Sequence, residues 1–240
     1  MTGGPEGEPE PEPQPGPEPG PETALAVVAT TSEVLAHPDL DEALLAPWER
    51  RRLAGIRLPS RRDDVLAARL LLRLCVARAT GLPSDTPALA QRCPGCGEHG
   101  HGRPYLRGRP GVGVSLSHAD GLVAAAVGPG AIGVDVEPAT RRPGPLHVLR
   151  RLLPDADVAE AAASPDAGPA LLRLWVRAEA RLKAGQVGES GQSSHTGHTG
   201  HTGQTGQSAQ GELRLLDWTD RPRAAVAAAA CATRVTIASL

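Results

Sequence analysis

Val112-Gly-Val-Ser-Leu-Ser-His118-Ala-Asp-Gly-Leu122-Val-Ala-Ala-Ala-Val127-Gly-Pro-Gly-Ala-Ile132-Gly-Val-Asp-Val-Glu137 contains three short apolar runs separated by two turn signals. Val112 to Leu116, Leu122 to Val127 and Ile132 to Glu137 each suit a strand. Ala119-Asp120-Gly121 and Gly128-Pro129-Gly130 supply the residues that tight turns require. The pattern predicts an antiparallel meander near the middle of the chain. In its third strand Asp135 and Glu137 stand two residues apart, so they share one face.

Outward from the meander, Ala24 to Val28 reads as a short strand and the pattern turns helical from Pro47. Val65 to Val76 is the strongest helical run, ended by Gly81 and Pro83, with Asp63 or Asp64 as N-cap or first-turn residue. Residues 146 to 163 read as helix broken at Pro154, and another helix runs from about Ala170 to Ala184. Glu212 to Trp218 and Ala224 to Ile237 return to strand-like apolar runs. The expectation is an α+β chain of two similar halves, 23–127 and 128–240. Residues 1–22, nearly all Pro, Glu and Gly, form an acidic tail expected to be disordered. Residues 185–211, with a His-Thr-Gly repeat from His195, read as a flexible low-complexity insertion without a metal role.

The tail carries six of the 27 acidic residues and none of the 25 basic ones, which leaves the body near +4. Clusters such as Arg50-Arg51-Arg52, Arg61-Arg62 and Arg103-Arg107-Arg109 suit a phosphorylated ligand or an acidic partner surface. Nucleic acid is not expected, because a chain with no Phe, one Tyr and three Trp has few platforms for stacking bases. No signal peptide, transit peptide or membrane-spanning run is evident, so a cytoplasmic monomer is expected. Cys75 and Cys231 lie in apolar surroundings and read as buried spacers rather than disulfide partners.

The helix ending near Ala184 carries Trp175, Glu179 and Lys183 at four-residue spacing, which places them on one stripe. If that stripe meets the strand bearing Asp135 and Glu137, three carboxylates and an ammonium converge. Hard oxygen ligands beside a cation are what Mg²⁺ and a diphosphate require. Lys183 is the one lysine among the 25 basic residues, and a compact ammonium does not substitute for a guanidinium at such a site. Ser117 and His118, at the first corner of the meander, can donate to a phosphate, or can simply serve the turn. No Gly-x-Ser-x-Gly elbow occurs, which argues against triad hydrolase chemistry. Cys93-x-x-Cys96 with His99 or His101 has the spacing of a Zn²⁺ knuckle. With no second Cys-x-x-Cys, a glycine-rich loop carrying no metal is the simpler expectation.

These motifs together resemble a 4′-phosphopantetheinyl transferase of the surfactin-synthetase type. The resemblance rests on Gly133-Val-Asp135-Val-Glu137, then Trp175-Val-Arg-Ala-Glu179-Ala-Arg-Leu-Lys183, with Ser115-Leu-Ser117-His118 and Gly102-Arg103-Pro104-Tyr105 upstream. It implies a fold of two α+β halves about a pseudo-twofold axis. It implies Mg²⁺ held by Asp135, Glu137 and Glu179 against the diphosphate of coenzyme A, the co-substrate. Lys183, His118, Ser117 and Arg103 would contact its phosphates, with Arg52 and Arg62 near the 3′-phosphate; Glu179, Lys183 and His118 would carry the catalysis. The acceptor implied is a serine of an acidic acyl, peptidyl or aryl carrier protein. The chain departs from the family pattern at Ala178, where a lysine usually precedes the glutamate, and at Asp64, where an arginine often opens the long helix.

Overall fold

The computed structural model describes residues 21–93, 95–144, 146–185 and 213–240; most of the tail and nearly all of the low-complexity insertion lie outside them. In chain order the elements are β1 (Ala24–Thr30), α1 (Thr31–Leu35), α2 (Pro47–Ala54), α3 (Pro59–Thr80), β2 (Leu89–Arg92), β3 (Arg103–Leu106), β4 (Val112–Ala119), β5 (Leu122–Pro129) and β6 (Ile132–Pro138). They continue with α4 (Leu146–Leu152), α5 (Asp155–Ala163), α6 (Ala167–Ala184), β7 (Arg214–Asp220), β8 (Ala225–Cys231) and β9 (Val235–Ala238). The fold is α+β, with a four-stranded sheet ordered β4-β5-β1-β9, a three-stranded sheet ordered β6-β8-β7 and the small β2-β3 hairpin. Among the described residues no helix is long and apolar enough to cross a membrane.

The expected three-stranded meander does not form. β4 and β5 make an antiparallel hairpin, but β6 leaves that sheet and pairs antiparallel with β8. Turn chemistry at Gly128-Pro129-Gly130 signals a reversal, yet does not say which strand receives the chain afterwards. The C-terminal stretch divides too: β7 and β8 join β6, whereas β9 returns to lie parallel to β1.

The two sheets stack face to face. Ala24, Ala26 and Val28 of β1, with Leu122, Ala124 and Ala126 of β5, pack on Ile132, Val134 and Val136 of β6 and on Ala225, Ala227, Ala229 and Cys231 of β8. The opposite face of the first sheet (Val27, Ala29, Val123, Ala125, Val127) is covered by α3 through Ala67, Leu70, Leu71 and Cys75. The opposite face of the second (Val226, Ala228, Ala230) is covered by α6 through Leu172, Val176, Ala180 and Ala184. The order of layers is therefore helix, sheet, sheet, helix. β5 and β8 are buried on both faces, which is why they read as unbroken apolar runs rather than as alternating ones.

α3 begins at Pro59, so Asp63 and Asp64 lie in its second turn and not at its cap. Pro fits the first helical position because its missing N–H has no partner there anyway. Asp64 instead cross-links the layer: it accepts from the Thr31 hydroxyl at 2.5 Å and from the Gly121 N–H at 3.3 Å. Deeper along α3, Arg69 and Arg73 both donate to Glu49 of α2, which is 1% exposed. Arg73 also reaches the carbonyls of Ser84 and Thr86, each at 3.2 Å, and Arg69 lies 5.1 Å over the Trp48 ring. No periodicity marks this network, since its members sit on positions that pattern alone assigns to core or surface.

Removing one partner of a buried charge cluster strands the others. Glu49→Ala should therefore cost about 3–5 kcal/mol of stability, read from urea denaturation. A second substitution tests the close packing of α6 on β6. A Cβ on Gly133 would sit 1.9 Å from the Ala180 carbonyl oxygen and 2.6 Å from the Ala184 nitrogen, both backbone atoms. Gly133→Ala must push the helix off the strand and should cost about 3 kcal/mol in the same assay.

Candidate functional site

The site forms where β4 of one sheet, β6 of the other and α6 come together. Along β6, Ile132, Val134 and Val136 point into the intersheet core, so strand alternation turns Gly133, Asp135 and Glu137 toward α6. Gly133 lets that helix lie directly on the strand. Along β4, Ser115 and Ser117 pair with Ala126 and Ala124, which face the second sheet. Ser115 Oγ accepts the Val134 N–H at 3.1 Å, which ties the two sheets together one residue from Asp135.

Asp135 is the centre. Its Oδ1 accepts from Ser117 Oγ at 2.7 Å and from Lys183 Nζ at 2.6 Å, and Lys183 also reaches Ser117 Oγ at 2.8 Å. Its Oδ2 is buried and has no hydrogen-bond partner. Glu137 and Glu179 flank it. Burial raises the proton affinity of Glu137, the Asp135 charge adds to this, and Arg141, which binds Glu137 at 2.6 Å, opposes it. Glu179 is likewise raised by burial and then by Asp135, with Lys183 opposing. Asp135 thus acts on both Glu137 and Glu179. The three carboxylates are less tightly gathered than Cys93, Cys96 and His101, the one metal-capable His/Cys/acid group among the described residues whose ligand atoms all lie within 4.8 Å. An orphaned buried carboxylate oxygen with two further carboxylates beside it fits a hard divalent cation.

The other expected residues are distributed more widely. His118 pairs with Val123, on the α3-facing side of β4, and so points away from Ser117. Burial depresses its proton affinity, Asp64 works against this, and Lys183, Arg61 and Arg69 reinforce it. His118 therefore lies in the field of Lys183 but outside the Asp135 hydrogen-bond group. Arg103 of β3 donates to the Leu182 carbonyl at 3.0 Å, capping the last turn of α6. Arg52 lies 3.4 Å from the Gly100 carbonyl, and Arg62 pairs with Glu42 at 2.6 Å; neither makes a hydrogen bond within the Asp135 group. Ala178 packs against Leu149, Leu153, Val158 and Leu171, on the α4–α5 side of α6, while Arg177 pairs with Asp217 of β7 at 3.1 Å. Neither side chain enters the Asp135 hydrogen-bond group.

Sequence reading missed Arg141, which reaches Glu137 through the chain reversal after β6 that no spacing announces. In sequence Ser115 and Arg61 are only parts of a motif and a basic cluster; the structure ties Ser115 to the Val134 N–H and sets Arg61 in the field of His118. Beside the group opens a cleft of about 800 Å³, lined by Ser115, Lys183, Arg103 and Tyr105 among others.

The raised carboxylates set a sign for pH dependence. In the folded chain Glu179 holds its proton more tightly than its ordinary value of 4.5 implies, so above that value the folded state binds more protons than the unfolded one. Stability from this group is present below the ordinary value and is lost as pH rises through the folded one. In chelator, Glu179→Gln should therefore raise the melting temperature at pH 8 relative to the parent and change it little at pH 4. A lower melting temperature at pH 8 would show that Lys183 holds Glu179 in a net favourable ion pair. No protein-family model and no curated protein matches the chain, so the chemistry of the site rests on these residues and their geometry.

Proposed function

We propose that the chain transfers the 4′-phosphopantetheine group of coenzyme A to a serine of an apo carrier protein, with Mg²⁺ as the metal. The observation that carries this reading is the Asp135 group: a buried carboxylate with one oxygen held by Ser117 and Lys183 and the other unpartnered, between Glu137 and Glu179. Support also comes from connectivity. β1–α3–β4–β5 makes strands ordered β4-β5-β1, and β6–α6–β7–β8 makes strands ordered β7-β8-β6. Two units with the same path, stacked through their sheets, are what related halves about a pseudo-twofold axis require, with the Asp135 group at their junction.

Bound at Asp135, Glu137 and Glu179, Mg²⁺ would supply positive charge to the diphosphate of coenzyme A. The residues of the chain supply the rest. Lys183 offers an ammonium to the phosphate oxygens as charge develops on them. The acceptor serine oxygen bonds to the β-phosphorus while the bond from that phosphorus to the bridging oxygen breaks. 3′,5′-ADP leaves with that electron pair. Glu179, with its proton affinity raised, suits acceptance of the serine proton near neutral pH. The adjoining cleft has the volume of a cofactor site, and Arg103 and Tyr105 are positioned along it. The positive body charge suits an acidic carrier domain.

The test is the mass shift of an apo carrier protein incubated with coenzyme A, Mg²⁺ and the protein. Transfer is expected, lost in chelator and lowered by about 10²-fold or more in Asp135→Asn. Mg²⁺ should also raise the melting temperature of the parent but not of Asp135→Asn. Undiminished transfer by Asp135→Asn would remove the site from the reaction. Calorimetric binding of coenzyme A without any mass shift would make the chain a binding relative rather than an enzyme.

A further inference from the structure

The loop between β2 and β3 holds a second constellation, independent of the Asp135 group. Cys93, Cys96 and His101 bring their ligand atoms within 4.8 Å of one another, and Cys96 Sγ lies 3.3 Å from His101 Nε2. The backbone is shaped around Cys93. The N–H groups of Cys96 and Gly95 both donate to its sulfur. The Gly97 N–H donates to the Cys93 carbonyl and the Cys93 N–H to the Glu98 carbonyl, each at 2.9 Å. Gly97, directly after the second cysteine, has φ +75°, a conformation that side chains with a Cβ disfavour.

The return of the chain is equally specific. At Gly102 a Cβ would lie 2.4 Å from both the Arg92 carbonyl oxygen and the Cys93 Cα, so only glycine allows this fold-back beside the cysteines. That fold-back delivers His101 to the pair. His99 takes a different role, with its Nδ1 3.4 Å from the Tyr105 hydroxyl. Backbone N–H groups aimed at a cysteine sulfur, with a second thiol and an imidazole beside it, offer soft and borderline ligands to one point. Such a set selects zinc over magnesium.

We propose that Cys93, Cys96 and His101 bind one Zn²⁺, which fastens the tip of the β2–β3 hairpin and leaves a fourth coordination position to water or another ligand. The consequence lies in what the hairpin carries. β3 starts one residue after Gly102 with Arg103, which caps α6 at the Leu182 carbonyl, and it continues to Tyr105 on the cleft. On the other side the loop meets α2, where Gly100 lies against the Trp48 ring and its carbonyl faces Arg52. A metal here locks the arm that spans α2, the cleft and the end of α6.

The test uses the full chain, purified with any affinity tag removed and without chelator. Metal analysis should find one zinc per chain, retained when His195, His198 and His201 are all changed to Gln and lost in Cys93→Ser and Cys96→Ser. Co²⁺ added to the stripped protein should give a thiolate-to-cobalt charge-transfer band, absent from Cys93→Ser. If the cysteine variants fail to fold, the cobalt spectrum of the parent still reports thiolate ligation, because Cys75 and Cys231 are buried in other parts of the fold. A parent without zinc that gives no charge-transfer band overturns the proposal. So does zinc that persists in both cysteine variants, or that is lost only in the histidine triple variant.

Discussion

The close approach of α6 to β6 is the constraint on which the candidate site depends. Gly133 permits it, because a single methyl there would collide with the backbone of the helix at Ala180 and Ala184. With the helix seated, Lys183 reaches Asp135 at 2.6 Å and Ser117 at 2.8 Å, so residues from three elements share one carboxylate oxygen. A helix displaced by one methyl diameter would leave the same side chains in the same order along the chain and draw Lys183 away from both partners. The glycine that opens the Gly-x-Asp-x-Glu run is therefore a packing residue first, and the chemistry follows from its lack of a side chain.

Alanine plays the corresponding part between the sheets. Ala24, Ala26, Ala124, Ala126, Ala225, Ala227 and Ala229 present small faces, so the two sheets join through a core made chiefly of methyl groups. Close-packed interiors transmit displacement rather than absorbing it. This makes the seam between β4 and β6, held by the Ser115 hydroxyl on the Val134 N–H, a firm base for Asp135. The charges set on that base are left short of counter-charge: burial and Asp135 both raise Glu137 and Glu179, and Lys183 and Arg141 offset this only in part. Such a site stores electrostatic work that a cation or a proton can release.

The structure also separates two kinds of donor group. Carboxylates at the sheet junction offer hard oxygen; cysteines and a histidine at the hairpin tip offer sulfur and nitrogen. The two are connected through β3, whose Arg103 holds the end of the helix that carries Lys183. Order at the hairpin tip thus bears on the far wall of the cleft without touching the carboxylates.

Local pattern determined a good deal. Turn residues bounded β4, β5 and β6; helical spacing set Trp175, Glu179 and Lys183 on one stripe; strand alternation put Asp135 and Glu137 on one face; and the Cys93-x-x-Cys96 spacing marked two cysteines of one loop. Each of these follows from the 3.6- and 2-residue periods of the backbone, which neighbouring residues impose on one another. Only the tertiary structure decided that β6 leaves its apparent meander for β8 and that β9 returns beside β1. It also decided that His118 and Ser117 fall on opposite sides of β4, that Asp64 cross-links rather than caps, and that Ala178 packs on the α4–α5 side of its helix. Those outcomes depend on which surfaces bury against which. That choice is made by apolar area and close packing between residues distant in the chain, and no local period records it.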